Sequence, residues 1–146
     1  MADKTGLVFD SFNFKIEQGK IKEFVQAIGD SNPIYYHEEE AKMSELEGIP
    51  MPLTFPTVID MWGGMNFNKL IEMLELNPLN VLHGEQEYEY FSMVYAGDIL
   101  TVFPKVVRHV TKAGMDFITI ETSYRKDDET VFISRSTIIE RHGGGK

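Results

Sequence analysis

The chain has 146 residues, enough for one domain with a substantial core, and 42% of them are hydrophobic. Its 23 acidic and 14 basic side chains give a net charge of -9. This balance argues against a general nucleic-acid binder and against binding to an anionic membrane surface, because both need an excess of Lys and Arg. The absence of cysteine excludes disulfides, thiolate metal sites and cysteine nucleophiles.

Metal ligands and targeting segments are also missing from the sequence pattern. The four histidines, His37, His83, His109 and His142, include no pair at the spacing of metal ligands, so we expect neither a metal nor a cofactor. The first residues contain no apolar segment typical of a signal peptide, and no apolar run reaches the length of a membrane-spanning helix. We therefore expect a cytoplasmic protein that binds neither membranes nor nucleic acids.

The first predicted elements are a strand and a short amphipathic helix. Residues 9–16 alternate between apolar and polar side chains, as in a half-buried strand. Apolar residues between positions 21 and 28 recur at helical spacing. Gly29 can end that helix in the left-handed conformation without steric cost.

Residues 29–37 form an unusual connection. Asp30, Ser31 and Asn32 have short side chains that can hydrogen-bond their own backbone, and Pro33 forces the preceding residue out of helical conformation. Two tyrosines and a histidine follow, which a simple connection does not need. The segment is compatible with a rigid turn or with the wall of a site, and the frequent placement of function on loops favours the second.

The middle of the chain predicts a short exposed helix, an irregular segment and a long buried helix. The charged run at 38–42 is typical of a solvated helical face, and three prolines between 48 and 57 exclude regular structure there. Residues 57–76 predict one helix that is apolar nearly all round in its first half, so Trp62 and Met65 should be buried. Gly63 and Gly64 cost about 1 kcal/mol each relative to Ala, which is acceptable where a backbone or ligand must approach closely.

The second half of the chain predicts an antiparallel sheet. Segments near 81–94, 98–112, 115–126 and 130–141 are rich in β-branched and aromatic residues, and short turn clusters separate them. Only the 57–76 helix is apolar enough to cover this sheet. We therefore expect an α+β hot-dog fold, with an antiparallel sheet wrapped around a long central helix. The domain should span residues 1–141, followed by a flexible tail at 142–146.

Four short motifs carry a family resemblance. GDSNPI at residues 29–34 is similar to the G-D-x-N-P-[IL]-H-x-D motif of MaoC-like hot-dog hydratases and dehydratases. PLTF at 52–55, HGEQEY at 83–88 and AGD at 96–98 resemble the P-P-T-F, H-G-E-Q-E-F and A-G-D runs of the N-terminal, FAS1-like dehydratase branch. The resemblance covers nearly the whole chain, and the motifs follow in the same order.

The resemblance implies hydration of trans-2-enoyl thioesters, or dehydration of (3R)-3-hydroxyacyl thioesters, carried on coenzyme A or acyl carrier protein. Family members use an aspartate and a histidine five residues apart. Asp30 matches the aspartate, whereas Tyr35 occupies the histidine position. A tyrosine near its ordinary pKa of about 10 is a poor base at neutral pH. The resemblance therefore implies a subunit that shapes the acyl pocket while a partner supplies the Asp–His pair.

The motifs and the predicted helix define a candidate site. The candidate catalytic residues are Asp30, Tyr35 and His37, the last of which reaches Asp30 if the loop curls. We expect an apolar acyl slot between the central helix, the 29–36 loop and a dimer partner. The candidate substrate contacts are Asn32, Pro33, Thr54, Phe55, Gly63, Gly64 and His83. His83 could instead hold its loop by hydrogen bonds, and strand alternation lets only one of Glu85 and Gln86 face the slot.

Three functions remain open at this point. One is an active hydratase, in which Asp30 works with His37 or with a partner's histidine, and another is a non-catalytic subunit of such an enzyme. The third is a thioesterase in which Asp60, or less readily Glu72, activates water, although the apolar neighbours of Asp60 favour a structural acid. Because a free sheet edge favours pairing, we expect a homodimer, or a heteromer with an Asp–His hot-dog subunit.

Overall fold

Five strands and four helices form the described part of the chain, residues 2–143 of a computed structural model. The strands are β1 (Phe12–Lys15), β2 (Val81–Tyr90), β3 (Ile99–Lys112), β4 (Met115–Lys126) and β5 (Glu129–Arg141). The helices are α1 (Gln18–Ala27), α2 (Glu38–Met43), α3 (Pro56–Trp62) and α4 (Phe67–Leu74). Single 3-10 turns cover Pro33–Tyr35 and Pro78–Asn80.

The sheet is antiparallel, as expected, but its strand order is not a simple meander. The order is β1-β3-β4-β5-β2, so β1 and β2 form the two edges. β2 pairs with β5 rather than with β3, its neighbour in sequence. The AGD segment at 96–98 lies instead against the end of β1, where Gly97 N donates to Ile16 O over 2.7 Å. Because β1 occupies the free side of β3, β2 pairs at the opposite edge of the sheet.

The prediction of a single helix over residues 57–76 is wrong, because two shorter helices, α3 and α4, occupy this segment. The aromatic ring of Phe12 fills the space at the break. A Cβ atom on Gly63 would lie 2.4 Å from Phe12 Cε2, and one on Gly64 would lie 2.8 Å from Phe12 Cβ. Asn66 then starts α4, since its Oδ1 accepts a hydrogen bond from Lys69 N over 3.0 Å. The close approach that the two glycines allow is made by a side chain of β1.

The break also changes the burial predicted for this segment. Met65 is buried, with 9% of its surface exposed, whereas Trp62 is 77% exposed, so the expectation for Trp62 is wrong. Trp62 is the last residue of α3. The apolar pattern that one continuous helix would have buried is divided between two helices, and the indole ring falls at the end of the first.

Two apolar clusters cover the inner face of the sheet. In the first, Ile21 and Val25 of α1 pack with Phe55 and Ile59 near Phe132 of β5. In the second, residues of α4 and its flanks pack against the middle strands; its buried members are Phe9, Met65, Leu74, Leu76, Val106, Ile118, Ile120 and Ile138. Helix α3 and the start of α4 therefore lie over the centre of the sheet, where the two clusters meet.

The C-terminal end of the described chain remains attached to the sheet. His142 N donates to Gly114 O over 2.9 Å, and the His142 ring contacts Asp116. The tail expected at 142–146 thus starts with a residue that makes two contacts. Its last three residues, 144–146, lie outside the described part of the chain.

Candidate functional site

A cavity of about 680 Å³ lies between helices α3 and α4 and the inner face of the sheet. This volume falls within the range of small-molecule sites. Thr54, Leu82 and His83 line it and are exposed, so they mark its mouth beside the edge strand β2. Most of the wall is apolar: Phe12, Met61, Met65, Phe67, Leu70, Val81, Leu82, Val102, Pro104, Ile120 and Ile138. The cavity is therefore suited to a ligand with a large hydrocarbon part.

A polar wall completes the cavity, formed by Thr54, Thr57, Asp60, His83, Gln86, Tyr88, Thr122, Ser134 and Ser136. The carboxylate of Asp60 is part of this wall. Its Oδ1 accepts a hydrogen bond from the Tyr124 hydroxyl, with 2.5 Å between the oxygens. On the same wall, Gln86 Nε2 donates to Ser134 Oγ over 3.2 Å.

Two further pairs make up the rest of the polar wall. The ring nitrogen Nε2 of His83 lies 3.0 Å from Ser136 Oγ. Thr57 Oγ1 and the Tyr88 hydroxyl are 2.9 Å apart. Six polar side chains of the wall are therefore held in place in pairs: Thr57 with Tyr88, His83 with Ser136, and Gln86 with Ser134.

The surroundings of Asp60 change its titration. Burial raises the pKa of Asp60 to about 6, although the Tyr124 hydrogen bond and the nearby His83 act in the opposite direction. Burial and the neighbouring Asp60 raise the pKa of Tyr124 well above its ordinary value. At neutral pH, Tyr124 is therefore the donor and Asp60 a mostly ionised acceptor. A carboxyl group with a pKa near neutrality, inside a cavity, is a frequent feature of functional sites.

A bulge in β2 explains why two residues of the HGEQEY motif line the cavity. The strand register shifts between His83 and Glu85, and a Cβ atom on Gly84 would lie 2.8 Å from Ile139 Cδ1. Because of this shift, His83 and Gln86 both face the cavity although they are three residues apart. Gln86 rather than Glu85 lines the cavity.

Residues 29–37 form a tight turn outside the lining of this cavity. Asp30 Oδ1 accepts a hydrogen bond from Asn32 N over 2.9 Å, and Asn32 Oδ1 accepts one from Ile34 N over 3.2 Å. The Tyr36 hydroxyl donates to Asp30 O over 2.9 Å. The polar side chains of the loop thus bond mainly to the loop's own backbone.

The other two catalytic candidates lie in the same segment. Tyr35 is half-buried and packs against the first apolar cluster, and burial, followed by the charge of Asp30, raises the pKa of its phenol. His37 is exposed and precedes the first residue of α2, where its carbonyl accepts a hydrogen bond from Ala41 N. A phenol with a raised pKa stays neutral at physiological pH, so Tyr35 does not serve as a base there.

The candidate substrate contacts fall into different places. Thr54 and His83 line the cavity, Phe55 is fully buried in the core, and Gly63 and Gly64 face Phe12. Asn32 and Pro33 are exposed in the loop. The cavity of about 680 Å³ lies under α3 and α4 rather than beside the 29–36 loop, because α1 and the tyrosines that follow it pack into the first apolar cluster. A slot completed by a dimer partner stays a prediction.

The sequence analysis does not identify several residues around Asp60. These are Thr57, Tyr88 and the two serines of β5 on the polar wall, and Tyr124, which donates to Asp60. A signal for the serines was present, since Ser134 and Ser136 lie between Phe132 and Ile138 on the inward face of a strand. Small polar residues at inward positions leave space where large apolar residues would fill the core.

Among residues 2–143, one group brings potential metal ligands within 4.8 Å of one another, namely Asp116, Glu140 and His142. Its carboxylates already accept hydrogen bonds from protein groups: Glu140 Oε1 accepts from Asn77 N over 2.7 Å, and Asp116 accepts from Thr111 over 2.5 Å. These hydrogen bonds give the three side chains a structural role in the fold. In the same part of the chain, no helix has the length and apolar character needed to cross a membrane.

The family of the chain is established by comparison with known proteins. A model of the family "FAS1-like, dehydratase domain region" matches residues 3–134. The chain therefore belongs to this family, and its resemblance to MaoC-like dehydratases is confirmed. It is 34% identical over 109 residues to a UPF0336 protein of Streptomyces coelicolor, which covers 73% of this chain and 71% of that protein.

Solved structures with a similar backbone confirm the hot-dog fold. The C-terminally truncated HadBC (3R-hydroxyacyl-ACP dehydratase) complex from Mycobacterium tuberculosis contains a chain that matches with a TM-score of 0.79 at 20% identity, over 94% of this chain and 98% of that one. The ChsH1-ChsH2 complex from Mycobacterium tuberculosis matches with a TM-score of 0.76 at 20% identity, over 96% of this chain and 87% of that one.

Proposed function

We propose that this chain is the acyl-binding subunit of a (3R)-3-hydroxyacyl-thioester dehydratase, or enoyl-thioester hydratase, with the acyl chain in the cavity under α3 and α4. The observation that carries the proposal is the cavity of about 680 Å³ with a mostly apolar wall. Burial of one methylene group contributes about 0.8 kcal/mol, so such a wall favours a long hydrocarbon chain over a small polar ligand. Membership of a dehydratase family supports the class of reaction.

The proton transfers of this reaction are assigned to a partner subunit. Hydration needs one group that activates water and one that moves a proton to or from the α-carbon. In this chain Asp30 is held in a tight turn, and the neutral Tyr35 occupies the position of the family's histidine. Neither of them, nor His37, lines the cavity. The partner is therefore a hot-dog subunit that carries the Asp–His pair.

The edge strand β2 indicates the kind of partner. It is ten residues long and, within the described part of the chain, pairs on one side only, which leaves backbone groups free for a further strand. Glu85, Glu87 and Glu89 are exposed on one of its faces, and Arg135 of β5 bridges the last two. Antiparallel pairing of two copies would bring these glutamates opposite one another, and like charges in that position are destabilising. A different chain with basic residues on its edge strand fits better.

Two of the similar solved structures support a heteromer. HadBC and ChsH1-ChsH2 are both named as complexes. A hetero-oligomer would combine the cavity of this chain with catalytic residues from another. The substrate would be a thioester of coenzyme A or of acyl carrier protein.

Acyl binding is tested with octanoyl- and decanoyl-coenzyme A and the purified chain, by isothermal titration calorimetry. We expect binding that Ser136→Phe abolishes, because a phenyl ring there fills the cavity from the sheet side. Thr137→Phe is the matched control, since the next residue along β5 points to the opposite face of the sheet. Failure of the wild type to bind either thioester, or equal binding by the Ser136→Phe variant, would reject this cavity as the acyl site.

Catalysis is tested with crotonyl-coenzyme A as the substrate. Hydration is measured as the loss of absorbance of the enoyl thioester. We expect no significant hydration by the chain alone and restored hydration after mixing with a hot-dog subunit that carries the Asp–His pair. A Tyr35→His variant should gain some activity if the loop geometry is kept. Robust hydration by the wild-type chain alone, lost on Asp30→Ala, would overturn the assignment of catalysis to a partner.

Hydrolysis of acyl thioesters is a second candidate, favoured by the carboxylate of Asp60 inside the cavity. With a pKa of about 6, Asp60 is mostly ionised at neutral pH and can take a proton from water. Release of free coenzyme A from decanoyl-coenzyme A, measured with a thiol reagent, decides between the thioesterase and the acyl-binding subunit. Release that is lost on Asp60→Asn would favour the thioesterase, and no release would leave the subunit proposal standing.

A further inference from the structure

The carboxylate of Asp60 has one oxygen that is available to a ligand. Among residues 2–143, the Tyr124 hydroxyl makes the one hydrogen bond found for this carboxylate, and it goes to Oδ1. Asp60 lines the cavity, and no fully buried side-chain oxygen or nitrogen of the described residues lacks a partner. The second oxygen, Oδ2, is therefore accessible from the cavity.

This arrangement is costly if the cavity holds only hydrocarbon. A polar group without a partner in an apolar environment is destabilised, and an ionised carboxylate is destabilised more strongly. A methyl chain packed against Oδ2 would displace water from it and offer nothing in exchange. A ligand hydroxyl at the same place would donate a hydrogen bond to the ionised oxygen, which is one of the stronger kinds.

We propose that Asp60 and the polar wall around it bind a hydroxyl group carried by the acyl chain, so that the cavity selects hydroxylated acyl groups over plain hydrocarbon chains. This specificity rests on the proposed function, because it requires the acyl chain to occupy the cavity. The hydroxyl in question is distinct from the one removed in the dehydration, which must lie beside the partner's catalytic residues.

The neighbours of Asp60 favour a donor at this position. Tyr124 already donates to Oδ1, and the Thr57–Tyr88 pair lies on the same wall. The nearby His83 side chain acts to lower the pKa of Asp60 and so favours the ionised acceptor. A ligand carbonyl has no proton to donate, so it would meet the ionised Oδ2 as a second acceptor. Hydroxylated chains should therefore bind more tightly than keto chains as well as plain ones.

The test compares decanoyl-coenzyme A with three versions that carry one hydroxyl group in the middle of the chain, near its end or at its end. Dissociation constants are measured at pH 7 with the full chain by isothermal titration calorimetry. At least one hydroxylated thioester should bind about tenfold more tightly than decanoyl-coenzyme A. The keto analogue of that thioester should show no such gain.

Three variants identify the group responsible. Asp60→Leu should abolish the preference for the hydroxyl while keeping decanoyl-coenzyme A binding. Asp60→Asn, which keeps a neutral acceptor in the same place, should retain only part of the preference and guards against misfolding of the leucine variant. Glu23→Leu removes one exposed acidic charge from α1, outside the cavity lining, and should leave the preference unchanged.

The outcomes separate this inference from the proposed function. Equal binding of plain and hydroxylated thioesters by the wild type would overturn the selectivity and leave the acyl site intact. A preference that survives in both Asp60 variants would show that another residue reads the hydroxyl, and would also overturn it. Failure to bind any of the thioesters would overturn the selectivity and the acyl site together.

Discussion

Two enclosed carboxylates, one on a helix and one on a strand, show how the same side chain acquires opposite properties. Within residues 2–143, Asp60 of α3 receives one hydrogen bond, from Tyr124, and burial raises its pKa to about 6. Burial also acts to raise the pKa of Asp116 of β4, but hydrogen bonds from Thr111, His142 and His109 outweigh it and lower that pKa to about 2. The number of donors, rather than burial, decides the direction.

The comparison separates a structural acid from a candidate functional one. His109 Nδ1 accepts a hydrogen bond from Lys4 N, so its proton is on Nε2, which donates to Asp116 Oδ1 over 3.0 Å. Both oxygens of Asp116 are thus used within the protein. Asp60 keeps one oxygen for the cavity, which is what a binding site requires.

The largest change in the free energy of unfolding should come from Asp116→Asn. The amide would place a donor where hydroxyl and imidazole donors already converge, and leave at least one of them without an acceptor. We expect the free energy of unfolding at pH 7 to fall by about 3 kcal/mol. Because the folded pKa lies below the unfolded value, the wild type loses this stabilisation as the pH falls from about 4 toward 2. Urea unfolding at pH 7 and pH 3 should show a smaller difference at pH 3.

Asp60→Asn should raise the free energy of unfolding at pH 7, by a smaller amount than Asp116→Asn lowers it. The folded pKa of about 6 lies above the unfolded value, so the protonated acid is compatible with the fold and ionisation costs stability as the pH rises through 6. Asparagine avoids that cost and can still accept from Tyr124. We expect a gain of about 2 kcal/mol at pH 7 and almost none at pH 4. A destabilised variant at pH 7 would mean that Asp60 is a structural acid like Asp116.

Much of the architecture was predictable from local patterns. The amphipathic helix α1, the turn at Gly29 and three long C-terminal strands follow from periodicity and turn residues, since each is decided by neighbours in sequence. The break between α3 and α4 was signalled by Gly63 and Gly64. Its cause was not predictable, because it depends on Phe12, a residue about fifty positions earlier that packs into the gap.

The candidate site was harder to predict, for a related physical reason. The loop with Asp30 looked functional because its polar residues are close in sequence, yet those residues bond mainly to the local backbone. The polar wall is assembled from α3 and the strands β2, β4 and β5, so its members are dispersed along the chain. The bulge at Gly84, which depends on Ile139 of another strand, places His83 and Gln86 together.

The smallest change in stability should come from Tyr124→Phe. This change removes the one donor to Asp60 found among residues 2–143 and keeps the aromatic ring that stacks on Phe132 with centroids 4.1 Å apart. Loss of one hydrogen bond should lower the free energy of unfolding by about 1 kcal/mol at pH 7. The pKa of Asp60 should rise further, because the hydrogen bond that favours its ionised form is gone. NMR titration of the Asp60 carboxyl carbon should show a higher titration midpoint in the variant than in the wild type. An unchanged midpoint would mean that the hydrogen bond contributes little, so that burial alone sets the properties of Asp60 and donor number no longer explains its contrast with Asp116.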